Sequence, residues 1–211
     1  MKNKRIATLL LSLGLVGAIG TGATLAYLSD TTDVLTNTFT FVEKGIDINL
    51  WETKVDSDTH IPSKTDKVVA GTNAGNSYNN VVANEVLTKN PTIDVTANSV
   101  DCYVFASIDA AKSNVEIVDL SKDWKVVSKE GNTTYYVYAK NGGDPTLVTK
   151  SDKDQTLTAL FTKVKVSDVT ELADLSADDI VIKASAVQAE KVDGALSYST
   201  DVQKAGLALL K

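Results

Sequence analysis

One cysteine, one histidine, one methionine and three prolines in 211 residues leave little from which to build a catalytic centre. A single cysteine, Cys102, excludes an intrachain disulfide, the device on which many small exported domains rely. A single histidine, His60, excludes an HExxH zinc site, which needs two imidazoles one helical turn apart. No G-x-S-x-G elbow accompanies it, so a Ser/His/Asp triad has no nucleophile motif. A Cys/His dyad would need Cys102 beside His60. Cys102, however, lies in Val100–Ile108 on the strand face shared with Val100, Val104 and Ala106, which predicts a buried, inert thiol. His60 lies in the polar stretch Asp56–Tyr78, read as a long loop, and is expected to be solvated there. Asp56-Ser57-Asp58-Thr59-His60 and Ser151-Asp152-Lys153-Asp154 lack the ligand count and glycine of an EF-hand, and are read as turns. Gly71–Gly75 lacks the Lys-Ser/Thr of a phosphate loop. No catalytic residue, cofactor or metal ligand is assigned.

What is present begins at the start of the chain. Lys2, Lys4 and Arg5 precede an apolar stretch, Ile6–Ile19, and the small-residue run ends at Thr24-Leu25-Ala26. That layout predicts a secretory signal, residues 1–26, cut between Ala26 and Tyr27, with Ala23 as the second choice. A retained anchor is the alternative. A spanning helix needs about 20 mainly apolar residues, and the second half of Ile6–Ala26 is rich in Gly and Thr. The remaining 185 residues carry 18 basic and 27 acidic side chains, a balance of −9. Such a charge argues against binding nucleic acid, whose phosphates draw basic surfaces, and against an anionic membrane surface.

After the signal, Val, Thr, Ile and Tyr recur between Asn, Asp, Gly and Ser, the pattern of strands joined by turns. Strands are predicted at Thr38–Val42, Gly45–Glu52, Pro91–Thr96, Val100–Asp109, Val115–Val118, Trp124–Lys129, Thr133–Lys140, Leu157–Val166 and Ile180–Glu190. In Gly45–Glu52, Ile46, Ile48 and Leu50 share one face. Glu130-Gly131-Asn132 joins two strands as a hairpin. Tyr136 and Tyr138 share a face, with Tyr135 opposite; these rings are read as packed strand aromatics, with a sugar-binding face as the alternative. Asp168–Asp179 is read as a loop with one helical turn. Ser199 or Thr200 caps a short amphipathic helix that turns Val202, Ala205, Leu209 and Leu210 to one side. Strands this short and numerous predict an all-β sandwich.

Ala23-Thr24-Leu25-Ala26-Tyr27-Leu28-Ser29-Asp30, followed by Asn37-Thr38-Phe39-Thr40 and Gly45-Ile46-Asp47-Ile48-Asn49-Leu50, resembles the TasA/camelysin (CalY) family of Gram-positive exported proteins. Lys89-Asn90-Pro91-Thr92-Ile93, Val100–Ile108, Leu160–Val164 and Ile182–Ala189 are similar to later strands of that family. The resemblance is closest at the signal and in residues 27–50, and weakest in the loops.

That resemblance implies a jelly-roll-like antiparallel β-sandwich over residues 38–211 and cleavage by a dedicated ER-type, SipW-like signal peptidase. It further implies a secreted structural protein of the biofilm matrix or cell surface, without a stable membrane span after cleavage. Fibres would form as the extended N-terminus of one subunit, residues 27–37, completes the sheet of the next. Tyr27, Leu28, Val34 and Leu35 are the apolar side chains of that segment. A matrix or cell-surface partner is a further expectation, because no LPxTG motif precedes Lys211 to direct covalent anchoring. The alternatives are a camelysin-like surface metalloprotease, for which this chain offers no paired ligand motif, and a carbohydrate- or surface-binding module.

Overall fold

Along Cys102–Asp109 small and bulky side chains alternate, and seven of the eight residues are buried. A strand buried on both faces must be covered by a layer on each side, and this one organises the molecule. The computed structural model describes residues 45–71, 75–110, 115–168 and 180–211. The expected signal, the cleavage pair Ala26 and Tyr27, the segment 27–37 and the strand expected at Thr38–Val42 lie outside them.

In chain order the strands are β1 (Ile48–Val55), β2 (Pro62–Val69), β3 (Val86–Thr88), β4 (Thr92–Val95), β5 (Cys102–Asp109), β6 (Val115–Ile117) and β7 (Trp124–Glu130). They continue with β8 (Thr133–Tyr138), β9 (Gln155–Thr156), β10 (Lys163–Val166), β11 (Val181–Gln188), β12 (Glu190–Val192) and β13 (Ala195–Ser197). One helix, α1 (Thr200–Ala208), follows. Hydrogen bonding orders them as β2-β1-β4-β9, β3-β10-β6 and β11-β5-β8-β7, with β12-β13 as a separate hairpin. Every pairing is antiparallel. The chain is therefore an all-β sandwich with a short C-terminal helix.

Two cores flank β5. Cys102, Val104, Ala106 and Ile108 join Ile93, Val95, Leu160, Phe161, Val164, Tyr136 and Tyr138 in the main core. Ile46, Ile48 and Leu50 pack against it from one face of the first strand region, as their alternation predicts. Tyr103 and Phe105 point the other way, joining Tyr135, Val137, Val202 and Leu210 beneath α1. Strand β7 reaches β8 through Gly131-Asn132, where Gly131 takes φ +58°. A left-handed first turn residue matches the twist of a two-residue hairpin, and glycine adopts it without a Cβ clash.

Three expectations are corrected. Asp56–Tyr78 is not simply a loop, because β2 pairs with β1 from Trp51↔Val69 to Val55↔Pro62. Its sequence, Pro-Ser-Lys-Thr-Asp-Lys-Val-Val, is mostly exposed at a sheet edge, so no buried alternation marks it. Leu157–Val166 is not one strand. Its amides first bond Ile93 and Pro91 carbonyls, through Leu157 and Leu160, before β10 begins at Lys163. Leu157, Leu160 and Phe161 thus drop into the core while the chain passes from one sheet to another.

The helix differs in its buried face. Ser199 is the N-cap and accepts a hydrogen bond from the Val202 amide. Val202, Gly206 and Leu210 are buried at four-residue spacing, whereas Ala205 and Leu209 are exposed. Gly206 sets this choice. A Cβ at that position would lie 2.4 Å from two ring carbons of Phe105, itself wholly buried. The Ser185 hydroxyl donates to the Gly206 carbonyl at 2.9 Å, and Lys183 Nζ donates to the carbonyls of Leu210 and Lys211 at 3.1 and 3.3 Å.

Replacing Gly206 by alanine therefore overpacks the second core. The expected loss is about 1–3 kcal/mol despite alanine's better helix propensity. Urea unfolding checks it: the midpoint should fall, and an unchanged or raised midpoint would contradict the contact.

Candidate functional site

Beside the first sheet, β1 and β2 approach β11 and the β3-β10-β6 sheet and leave a groove of about 410 Å³. Leu50, Leu87, Val115, Val164 and Ile182 line it with apolar side chains, all part of the main core or packed on it. The volume is in the range of sites that hold a small ligand or a few side chains of a peptide. Among the described residues, β11 pairs only with β5, and the start of β11, at Val181 and Ile182, lines this groove.

A polar cluster forms part of the groove lining. Lys89 Nζ lies 2.6 Å from Glu52 Oε1, and both side chains are 13% exposed. Asn76 donates through Nδ2 to Glu52 Oε2 at 3.2 Å and to the Thr53 carbonyl at 2.8 Å, and its Oδ1 accepts from the Val55 amide. The Tyr78 hydroxyl donates to the Thr88 carbonyl at 2.5 Å. Burial drives the phenol of Tyr78 far above its ordinary range, so it stays a donor. Asn76 and Tyr78 thereby join the segment after β2 to β1 and β3.

His60 is not the solvated residue that its sequence neighbours predict. Its Nδ1 lies 2.7 Å from Glu85 Oε1 and its Nε2 2.7 Å from the Asn79 carbonyl oxygen. The side chain is 12% exposed. Both ring nitrogens are thus committed, and neither faces a thiol or hydroxyl nucleophile. Cys102 is wholly buried in the main core, where desolvation first and Asp101 second push its thiol up to about 11. No three His, Cys, Asp or Glu side chains among the described residues gather as a metal site.

The tyrosines are packed rather than displayed. Tyr136 and Tyr138 are in the main core, Tyr135 in the core under α1, each less than a tenth exposed. One face of Trp51 is occupied: Lys67 Nζ sits 3.4 Å from its ring centroid, and 4.0 Å from Asp94 Oδ2. No helix among the described residues is long and apolar enough to cross a membrane.

The groove and its polar cluster were not legible beforehand, because they draw on residues up to 132 positions apart, from Leu50 to Ile182. The one local signal is Leu50, which shares a strand face with Ile46 and Ile48. No family model, curated protein or solved structure matches the chain.

Two outcomes follow. Cys102 should resist a thiol reagent at mildly alkaline pH until denaturant is added, since little thiolate exists and the core encloses it; stoichiometric reaction of native protein would contradict this. Lys89→Met should leave Glu52 short of its partner and lower stability by up to about 3 kcal/mol. Adding Glu52→Gln should restore part of that loss in the same denaturation measurement.

Proposed function

We propose that the chain is an exported structural protein that assembles head to tail through residues 27–37. In this reading a SipW-like peptidase cuts between Ala26 and Tyr27. The freed segment of one copy then adds as a strand to the unpaired edge of β11 in the next. The observation that carries the reading is the groove beside that edge, floored by Leu50, Leu87 and Val164 and walled by Ile182. An added strand satisfies edge N–H and C=O groups while alternate side chains fill apolar pockets.

The dimensions suit the occupant. Eleven residues in extended form reach about 36 Å, longer than the eight residues of β11 require. Residues 38–44 remain as the connection to the described domain, and seven residues span about 25 Å at most. Strand alternation assigns Leu28 and Val34 to one face of the segment, and Tyr27 and Leu35 to the other. Only one pair can therefore enter the groove. Burying two such side chains contributes roughly 3–6 kcal/mol, less than the cost of ordering eleven residues. Main-chain bonding to β11 must supply the rest, so assembly is concentration-dependent. A contact between different surfaces of successive copies does not close on itself and grows as a filament.

The test compares the chain beginning at Tyr27 with one lacking residues 27–37. Electron micrographs should reveal filaments for the first and none for the second, while circular dichroism reports the same folded β-protein. Ile182→Lys, which charges the groove wall, should also abolish filaments. Persistence of filaments after the deletion would refute the reading.

A further inference from the structure

His60 is the sole histidine of the chain, and its surroundings consist of acceptors. A backbone carbonyl, here that of Asn79, can only accept. The Glu85 carboxylate is held as an anion, its pKa depressed by the Val82 amide that donates to Oε2 at 3.0 Å and by His60 itself. Both contacts are satisfied together only if both ring nitrogens carry a proton, which is the imidazolium. A neutral ring has one N–H. The charged carboxylate would keep it, and the Nε2 lone pair would then face the lone pairs of the Asn79 carbonyl.

We propose that His60 is a proton-operated latch, tying the connection between β1 and β2 to residues 79–85 when protonated and releasing the Asn79 carbonyl when neutral. Three further bonds converge on the same place. The Asn79 amide donates to the Ser57 carbonyl at 2.7 Å, Asn79 Nδ2 donates to Asp58 Oδ1 at 2.9 Å, and the His60 amide donates to the Asp56 carbonyl at 3.0 Å. His60 holds φ at +57°, a left-handed backbone that a β-carbon disfavours and that needs outside support. The latch supplies that support. Asn76 and Tyr78, which line the groove, lie just before Asn79, so the latch holds the segment that forms one groove wall.

The groups facing the ring are Glu85, Asp58 and Asp56, with the Tyr78 ring 6.0 Å away. Asp56 is held anionic by hydrogen bonds from the Thr59 amide and hydroxyl and from the Asp58 amide, and Tyr78 by burial stays neutral. Glu85 and Asp56 are shifted down and Tyr78 up, away from neutrality, which leaves the imidazole as the group that changes charge there. Its pKa is raised above the ordinary 6.5, chiefly by Glu85. A raised folded-state value means that the stabilisation is complete below 6.5 and is lost as pH climbs through the raised value.

With one histidine, a single NMR titration curve reports the site in the full chain. The His60 resonance should titrate above 6.5, and Glu85→Gln should bring it back toward 6.5. As the pH passes through the measured value, exchange protection of the Asn79 and His60 amides, corrected for intrinsic rates, should fall about fivefold, the population change that one lost hydrogen bond represents. His60→Gln should remove that pH dependence, which separates it from ionisation of the terminal amine. A histidine titrating at or below 6.5, or protection that is unchanged across the transition, would overturn the latch.

Discussion

Strand β5 runs through the molecule with side chains buried to either side, and the other layers are arranged around that demand. A residue such as Phe105 cannot sit on the reverse of a sheet without cover, since leaving it exposed forfeits roughly 1.5–3 kcal/mol. The C-terminal helix is that cover. It approaches closely only because Gly206 has no β-carbon to meet the Phe105 ring, and Ser185 and Lys183 hold its carbonyls in place. On the opposite face, Cys102, Val104, Ala106 and Ile108 supply one wall of the main core, to which β1, β4 and β10 bring the other. The same dependence explains the chemistry. The only thiol is consumed by packing, the strand tyrosines are consumed by packing, and the only histidine is consumed by two hydrogen bonds.

Backbone and apolar surface come together at β11, one of the strands that end a sheet among the described residues. The groove between β1 and β11 is lined by buried and half-buried aliphatic residues, and β11 has no second strand partner among the described residues. Unpaired edges invite another strand, and proteins ordinarily blunt them with charge, proline or a covering loop. Val181, nearly half exposed on β11, is none of these. The reading as an assembling structural protein rests on that feature together with the sequence of residues 27–37. The proposed His60 latch acts on the segment that holds Asn76 and Tyr78 in the groove lining.

Legibility in the sequence followed the strength of local patterning. The all-β class, the buried thiol, the opposition of Tyr135 to Tyr136 and the hairpin at Gly131 were readable because a two-residue period or a turn residue encodes each directly. Strand β2 was not, because Lys64, Thr65, Asp66 and Lys67 are all exposed at a sheet edge and carry no buried alternation. The break within Leu157–Val166 was missed because Leu160 and Phe161 are as apolar as strand residues but serve a passage between sheets. The helix face was misassigned at Ala205 and Leu209 because glycine carries no apolar signal, yet Gly206 is the buried residue that faces the Phe105 ring. His60 and Glu85 stand 25 positions apart with no motif between them, so only the fold could bring them together.

The central claim is that the β11 edge receives residues 27–37. It is tested most directly by adding a synthetic peptide of that sequence to the protein lacking it and following amide exchange along Val181–Gln188. The account predicts that outward-facing β11 amides gain protection in proportion to peptide bound, while those bonded to β5 are unchanged. Binding that protects another edge instead, or no gain at saturating peptide, would contradict it.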